Sequence, residues 1–133
     1  DRINNLRVAC RRMNRVMQPG EELLFNDTVG RFTAANGYTL APVLVDGELK
    51  PGYGGGSCQV SSTLYNVVLQ LQGLTVTERS PHGANGATYL PHGVDASSGD
   101  LDFHFRNDYA FPIRIDSHIQ DLGMFIVIYK EGA

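Results

Sequence analysis

The amino-acid sequence predicts an α+β domain in which two main helices pack on a mostly antiparallel sheet. Two apolar stripes with helical spacing indicate the helices, and strand-like segments follow one another towards the carboxyl end. The first stripe is Ile3, Leu6, Cys10, Met13 and Met17, and the second is Val60, Leu64, Val67 and Leu71. Helices early in the chain and strands late give this fold class.

The first half of the chain predicts one helix followed by short strands and loops. Residues 2–17 have the spacing of an amphipathic helix, which Pro19-Gly20 is expected to stop. We then expect a strand at 22–26 leading into a turn, a loop at 30–37, a strand at 38–45, a tight turn at Asp46-Gly47, and a loop without regular structure at 50–56.

The second half predicts one helix and four strands. Ser57 is expected to cap the helix, and Gly73 is expected to end it. The strands are expected at 74–79, 101–106, 111–119 and 124–130, with a turn at 121–123 between the last two.

Length and composition restrict the class of protein. With 133 residues, of which 42% are hydrophobic, we expect a single domain over 1–133 with one core. No apolar run is long enough to span a membrane. The first residues lack the apolar core of a signal peptide, so we expect any targeting segment to lie outside this stretch.

The charges are unevenly distributed. Residues 1–20 contain five arginines and one aspartate, whereas the net charge of the whole chain is −3. A basic helix of this kind fits an anionic partner, but an arginine face exposed to solvent is the more ordinary explanation. Because the protein is acidic as a whole, we do not expect it to bind nucleic acid.

Two cysteines allow at most one disulfide, so the chain is not a disulfide scaffold. Cys10 lies in the first apolar stripe and is expected to be a small buried side chain without chemistry. A Cys10–Cys58 disulfide stays open from the sequence, and it would remove the thiol of Cys58.

The segment Gly54-Gly55-Gly56-Ser57-Cys58-Gln59 points to chemistry. It places Cys58 in the first turn of a helix, where free amide groups and the positive end of the helix dipole favour a thiolate. Glycines allow a substrate to approach the backbone and leave amides available to a developing oxyanion, and Gln59 offers a further donor. The alternative is that Cys58 only packs beneath the glycine loop.

The other face of this helix predicts a cleft wall. At about 100° per residue, Cys58 lies roughly opposite the aliphatic stripe. Ser61, Ser62 and Tyr65 share its side of the helix. A helix that buries one face and presents a thiol, hydroxyls and a phenol on another is expected to line a cleft.

A cysteine nucleophile needs a base and a group that orients it. The order Cys58, His82, Asp95 resembles that of transglutaminase-like and related cysteine enzymes, and a papain- or transglutaminase-like arrangement is a candidate for the fold. His92 is an equally placed rival to His82. His104 is expected to face solvent if its neighbours face the core, and the remaining histidine, His118, is expected on a strand surface.

Acidic residues offer a second chemistry. Glu78, Asp95, Asp100 and Asp102 converge if their strands are neighbours, and a pair of carboxylates can cleave a glycosidic bond. An ion pair between Glu78 and Arg79 is the ordinary alternative. His82, His92 and Asp95 are also conceivable metal ligands, but no close-spaced ligand signature is present, and we expect neither metal nor cofactor.

The chain resembles the VanW domain family over nearly its whole length. The distinctive block is Gly54–Asn66, with the sequence GGGSCQVSSTLYN, preceded by Pro19-Gly20-Glu21 and Gly37-Tyr38. Further matching pieces are Glu78-Arg79, His82, Tyr89-Leu90-Pro91, Gly93, Asp95-Ala96 and Asp102-Phe103. Cys58, Gln59, Arg79, His82 and Asp95 therefore occupy matched positions, and this favours His82 over His92 as the base.

The resemblance implies a bacterial cell-envelope domain. VanW-like domains occur beside peptidoglycan-binding or G5 modules and take their name from an accessory gene of some vancomycin-resistance clusters. The expected location is extracytoplasmic, and the expected partner is peptidoglycan or a related cell-wall polymer. The resemblance does not specify an activity.

Three functions follow as hypotheses. The first is acyl transfer or hydrolysis on a peptide stem, with Cys58 as nucleophile, His82 as base, Asp95 orienting it, and Gln59 with the Gly55–Gly56 amides at the oxyanion. The second is glycan cleavage, hydrolytic or lytic, by Glu78 or Asp95. The third is a non-catalytic glycan-binding module, whose expected contacts are Tyr53, Tyr65, Tyr89, Asn66 and Arg79.

Overall fold

A computed structural model describes residues 2–45, 48–52, 55–80, 96, 98, 101–121 and 123–132. These residues form the helices α1 (Arg2–Met13), α2 (Phe25–Val29) and α3 (Ser57–Val68), with a 3-10 turn at Ala34–Asn36. The strands are β1 (Arg15–Met17), β2 (Glu22–Leu24), β3 (Ala41–Val45), β4 (Glu48–Gly52), β5 (Leu74–Glu78), β6 (His104–Asn107), β7 (Ile113–Gln120) and β8 (Gly123–Lys130).

Every strand pairing in this part of the chain is antiparallel. One sheet has the order β1-β7-β8, a second has the order β2-β6-β5, and β3 and β4 form a separate hairpin. The α+β fold class is therefore confirmed. The single sheet that we expected is instead divided in two, and the papain- or transglutaminase-like arrangement is not confirmed.

The first helix is shorter than the predicted 2–17. It ends at Met13, and Arg15–Met17 forms β1 with Arg15 opposite Ile115 on β7. Asn14 makes the change of direction, because its side-chain oxygen accepts hydrogen bonds from the amide of Ser117 at 2.6 Å and from its hydroxyl at 2.9 Å. Met17 is fully buried, as its apolar spacing suggested, but from a strand.

Several other element boundaries differ from the prediction; for example, β3 and β6 each begin three residues later than expected. The segment 22–26 contains strand β2 and the beginning of helix α2, and residues 50–52 belong to β4 although we expected a loop. Helix α3 ends at Val68, before Gly73. Gly73 is needed for a different reason: a side chain there would lie 2.4 Å from the ring of Tyr109. The turn predicted at Asp46-Gly47 lies outside the described residues.

The core lies between the helices and the two sheets. Phe103 and Phe105 are fully buried, with ring centroids 5.7 Å apart, and α1 contributes Met13 while α3 contributes Leu64. Cys10 is also in this core, as expected. Burial raises the pKa of its thiol, against a smaller lowering by a hydrogen bond with Ser117. Within the described residues, no helix is long and apolar enough to cross a membrane.

Candidate functional site

The start of α3 is built by two buried glycines. Gly56 precedes the helix with φ of +97°, a left-handed conformation that favours glycine, and its carbonyl accepts from the amides of Gln59 and Val60. Gly55 packs against Ala41, whose Cβ would lie 2.4 Å from any side chain at position 55. The cap is therefore Gly56, and the prediction that Ser57 caps the helix is wrong.

Helix α1 holds this start in place. The buried side chain of Asn5 donates to the carbonyl of Gly55 at 2.8 Å and to that of Thr39 at 2.8 Å, and it accepts from the Thr39 amide at 2.7 Å. Arg2 Nε donates to Gln59 Oε1 at 2.9 Å. The Gln59 carboxamide is thus oriented through its oxygen.

Cys58 carries a free, partly exposed thiol at the second residue of α3. Ser98 surrounds its sulfur with polar groups: the amide donates at 3.3 Å and the hydroxyl at 3.6 Å, while the Ser98 carbonyl accepts from the thiol at 3.7 Å. Cys10 is also free, so the two cysteines do not form the disulfide that the sequence left open. The sulfur lies in a polar setting at a helix start.

Serines of α3 fix residues 96 and 98 against the helix. Ser57 Oγ and Ser98 Oγ are 2.5 Å apart. Ser61 Oγ donates to the Ala96 carbonyl at 2.6 Å, and Ser62 Oγ accepts from the Ala96 amide at 2.9 Å. Ser61 and Ser62 are fully buried, so they do not line the open cleft that we predicted from the helical wheel.

Tyr65 belongs to the core. Its ring meets Phe103 edge to face at a centroid distance of 5.6 Å, and the guanidinium of Arg79 lies 5.0 Å from its centroid. Only 8% of Tyr65 is exposed. This packing leaves little of the ring to stack on a sugar.

A second polar group lies on the outer face of the β2-β6-β5 sheet. His104 Nε2 is 2.8 Å from Asp102 Oδ2, and its Nδ1 is 3.8 Å from Glu78 Oε1. The other Asp102 oxygen accepts from the amides of Asn26 at 2.9 Å and Phe103 at 2.8 Å. Glu78 reaches this face because the β5–β6 register shifts between Val76 and Glu78.

The surroundings of His104 bear on the prediction that acidic residues converge if their strands are neighbours. Glu78 and Asp102 converge on His104, as the hypothesis of neighbouring strands required. The sequence predicted that His104 would face solvent if Leu101, Phe103 and Phe105 faced the core; Phe103 and Phe105 are buried, whereas Leu101 is 49% exposed. The sequence did not indicate that two carboxylates flank the ring, which leaves the side chain of His104 only 18% exposed.

Several predicted site residues lie outside the described residues. These are His82, His92, Asp95 and Tyr89, together with Tyr53, Gly54 and Asp100. His118 is exposed on β7, as expected, and stacks on Phe125. In the part of the chain that the structure describes, no three His, Cys, Asp or Glu side chains are grouped to hold a metal ion.

Ser98 is the residue of this site that sequence reasoning missed. It lies in the run Asp95-Ala96-Ser97-Ser98-Gly99, whose small and polar composition predicts a loop. The repeated serines of α3 at 57, 61 and 62 were the available signal, because buried hydroxyls need hydrogen-bond partners. A loop with free backbone amides and carbonyls supplies such partners.

Comparison with known proteins identifies the family. The family described as VanW like protein matches residues 1–129. The chain is 41% identical over 132 residues to Uncharacterized protein YoaR of Bacillus subtilis (strain 168); the match covers 97% of this chain and 43% of YoaR, so the chain spans less than half of that relative. No solved structure gives a significant match. The chain belongs to the VanW family.

Proposed function

We propose that this domain acts on the peptide stem of peptidoglycan by cysteine-dependent acyl transfer or hydrolysis, on the extracytoplasmic side of the bacterial envelope. Membership in the VanW family suggests a cell-wall-related protein of the cell envelope. Peptidoglycan, the bond and the extracytoplasmic location are our proposal. The choice of bond rests on the chemistry of the α3 start, and peptidoglycan and the location rest on membership in the VanW family.

One observation carries the proposal: the Cys58 sulfur is free of any disulfide, partly exposed and bonded to polar groups at a helix start. Amide and hydroxyl donors stabilise a thiolate, and so does the positive end of the helix dipole. A cysteine with a purely structural role packs among hydrocarbon, as Cys10 does at 2% exposure. The two cysteines of this chain therefore differ in exposure and in the polarity of the groups around the sulfur.

The proposed reaction has two steps. The Cys58 thiolate attacks the carbonyl carbon of a stem peptide bond, the carbon–nitrogen bond breaks, and the protonated base gives its proton to the leaving amine. Water, or the amine of a second stem, then attacks the thioester and releases the thiol. Hydrolysis and acyl transfer differ only in which nucleophile takes the second step.

The remaining roles are assigned from the sequence. His82 is proposed as the base, with His92 as its rival, and Asp95 is proposed to orient the imidazole. The Gln59 carboxamide, whose oxygen is bound by Arg2 Nε, offers its NH2 group to the oxyanion beside the amides near Gly56.

The test compares wild-type protein with Cys58→Ala on purified cell walls, with muropeptides analysed by mass spectrometry. We expect new peptide ends or new cross-links with the wild type and none with Cys58→Ala. Cys10→Ala is the matched control, because it removes the buried thiol, and it should keep activity if it folds. Full turnover by Cys58→Ala would contradict the proposal.

Glycan cleavage is a second candidate, favoured by the carboxylates around His104. Glu78 is half exposed, whereas both oxygens of Asp102 accept hydrogen bonds or contact His104, so Glu78 is the carboxylate that a substrate can reach. Cut sugars in the same digest, abolished by Glu78→Gln and unchanged in Cys58→Ala, would support this function over the first. Sedimentation with insoluble cell wall without any soluble product would support a binding module.

A further inference from the structure

The first turn of α1 packs against the residues that begin α3. Gly56 lies beside Arg2, because a Cβ added to this glycine would be 3.4 Å from Arg2 Cγ and 3.5 Å from the Arg2 carbonyl oxygen. Asn5, about one turn further along α1, is 1% exposed and donates to the carbonyl of Gly55 at 2.8 Å. Two side chains of α1 therefore reach the segment around the start of α3 that contains Cys58.

The carboxamide of Asn5 has a fixed orientation. Its nitrogen donates to the carbonyls of Thr39 and Gly55, each at 2.8 Å, and its oxygen accepts from the Thr39 amide at 2.7 Å. A flipped carboxamide would set its oxygen against two carbonyl oxygens and its nitrogen against an amide donor. A buried side chain with one orientation therefore determines the direction of the Gly55 carbonyl.

The direction of the Gly55 carbonyl determines the direction of the Gly56 amide. No peptide bond among the described residues is cis, so the C=O of Gly55 and the N–H of Gly56 point to opposite sides of one planar peptide group. The carbonyl points to Asn5, and the N–H therefore points away from it. This N–H is one of the first amides of α3, which have no acceptor within the helix.

Arg2 orients a second donor, the carboxamide of Gln59. Arg2 Nε donates to Gln59 Oε1 at 2.9 Å. A guanidinium has no acceptor, so it binds the oxygen of the carboxamide and leaves the NH2 group on the other side. Gln59 follows Cys58 directly and is partly exposed, so a bound substrate can reach this NH2 group.

We infer that Asn5 and Arg2 are positioning residues for acyl transfer at Cys58. Asn5 aims the amide of Gly56 at the oxyanion of the tetrahedral intermediate. Arg2 aims the carboxamide of Gln59 at the same oxygen. Oxyanion donors are effective because their direction is set before the reaction, and the first turn of α1 sets it. This inference rests on the proposed function, since an oxyanion forms only if the thiolate attacks a carbonyl carbon.

The test compares two reactions of the same thiol. When p-nitrophenyl acetate acylates Cys58, the sulfur–carbon bond forms, the thiol proton passes to water, and an oxyanion develops before the ester carbon–oxygen bond breaks and nitrophenolate leaves with the electron pair. Iodoacetamide alkylates Cys58 by displacing iodide from a saturated carbon, so this reaction has no tetrahedral oxyanion. A residue that positions oxyanion donors changes the acylation rate relative to the alkylation rate, whereas a residue needed only for folding changes both.

Asn5→Ala should lower the ratio of acylation to alkylation at Cys58 about tenfold, less than the loss of a whole oxyanion donor, because the amide itself remains. Asn4→Ala is the matched control. It removes an asparagine of the same helical turn whose nitrogen donates to the carbonyl of Gly37 at 2.8 Å, and it should leave the ratio unchanged. Mass spectrometry of labelled peptides gives both rates, with Cys58→Ala as the background.

Arg2→Met tests the inference at a partly exposed residue, so it decides the matter if Asn5→Ala does not fold. It should lower the ratio about three- to tenfold, as the loss of one hydrogen bond would. In a Gln59→Met background, Arg2→Met should have no further effect, because Arg2 acts through Gln59. Arg2→Lys keeps a donor and should restore part of the ratio.

Equal decreases in acylation and alkylation would overturn the inference, because they would show a general disturbance of the α3 start. So would an unchanged ratio in the variants, an effect of Arg2→Met that persists in Gln59→Met, or a native wild-type ratio equal to that of the urea-unfolded chain. The proposed function fails by a different result, full turnover of cell walls by Cys58→Ala. Because the ester assay uses no cell wall, the two failures are distinguishable.

Discussion

The main-chain amide of Ser98 donates a hydrogen bond to the sulfur of Cys58 across 3.3 Å. Forty residues separate the two in sequence, and Ser61 and Ser62 hold the nearby residue Ala96 to the same helix. The contact gives the α3 start a polar donor that belongs to a distant part of the chain. Cys58 is therefore positioned by tertiary structure as well as by its place at a helix start.

Ser98→Ala should slow the alkylation of Cys58. The variant removes the hydroxyl donor at 3.6 Å but keeps the amide donor at 3.3 Å, so the sulfur loses one of its two hydrogen-bond donors from Ser98. We expect the iodoacetamide rate at neutral pH to fall by about two- to fivefold, less than the loss of a full charge-assisted hydrogen bond. Mass spectrometry of labelled peptides gives the rate at each cysteine.

Ser117→Ala is the control for that measurement. Ser117 lies beside Cys10, with its hydroxyl bonded to the Cys10 carbonyl at 3.0 Å, and should not affect Cys58. An unchanged rate in Ser98→Ala, or an equal decrease in both variants, would show that the Ser98 hydroxyl does not act on the sulfur.

Gly55→Ala should destabilise the protein more than an alanine at an open glycine position does. A methyl group at position 55 would meet the Cβ of Ala41 at 2.4 Å and its backbone oxygen at 2.6 Å. Because backbone atoms cannot relieve the clash by rotating away as a flexible side chain can, we expect a loss of about 1–3 kcal/mol or more in the free energy of unfolding. Urea denaturation followed by circular dichroism measures it.

Gly20→Ala provides the comparison. Gly20 has φ of +83°, and a methyl group added there would have no atom within 4 Å. Alanine at this position therefore costs only the conformational strain, about 1 kcal/mol. If both variants lose the same free energy, the contact with Ala41 is not what requires Gly55.

The stability of the protein should fall between pH 10 and 12 in a manner that depends on Tyr38. Burial raises the pKa of Tyr38 from 10.0 to about 12, opposed by the nearby charge of Arg12. The unfolded chain therefore loses this proton at lower pH than the folded protein. The contribution is present below pH 10 and is lost as pH rises towards 12.

Tyr38→Phe isolates this contribution. The variant removes the hydroxyl that donates to the Val29 carbonyl at 2.6 Å, so it should be less stable at neutral pH by about 1 kcal/mol. Its free energy of unfolding should then fall less steeply than that of the wild type above pH 10. Parallel pH profiles from urea titrations would contradict the assignment.

Local pattern predicted the helical start at Cys58, the burial of Cys10 and the late antiparallel strands, because these depend on spacing and turn residues. The local pattern did not predict features that depend on contacts between residues far apart in the sequence. Asn14 turns the chain out of α1 by bonding Ser117, more than a hundred residues away in sequence. The sequence suggested that Gly55 lets a substrate approach the backbone, but a close contact with Ala41 is what requires a glycine there.

The candidate site was partly predictable for the same reason. A thiol after glycines at a helix start is visible in sequence, and so was the orientation of His104 away from the core. The serine contacts of α3 were not predictable. Ser61, Ser62 and Cys58 form the same polar stripe on the helix whether or not another segment of the chain packs on it. Only the fold shows that two of these three are buried.

The most direct test is to measure which thiols of the native protein react with iodoacetamide and how fast each one reacts. We predict that Cys58 is labelled rapidly at neutral pH and that Cys10, which is 2% exposed, is labelled only after unfolding. Equal protection of both cysteines until denaturation, or labelling of Cys10 before Cys58, would contradict the claim that Cys58 presents a reactive sulfur.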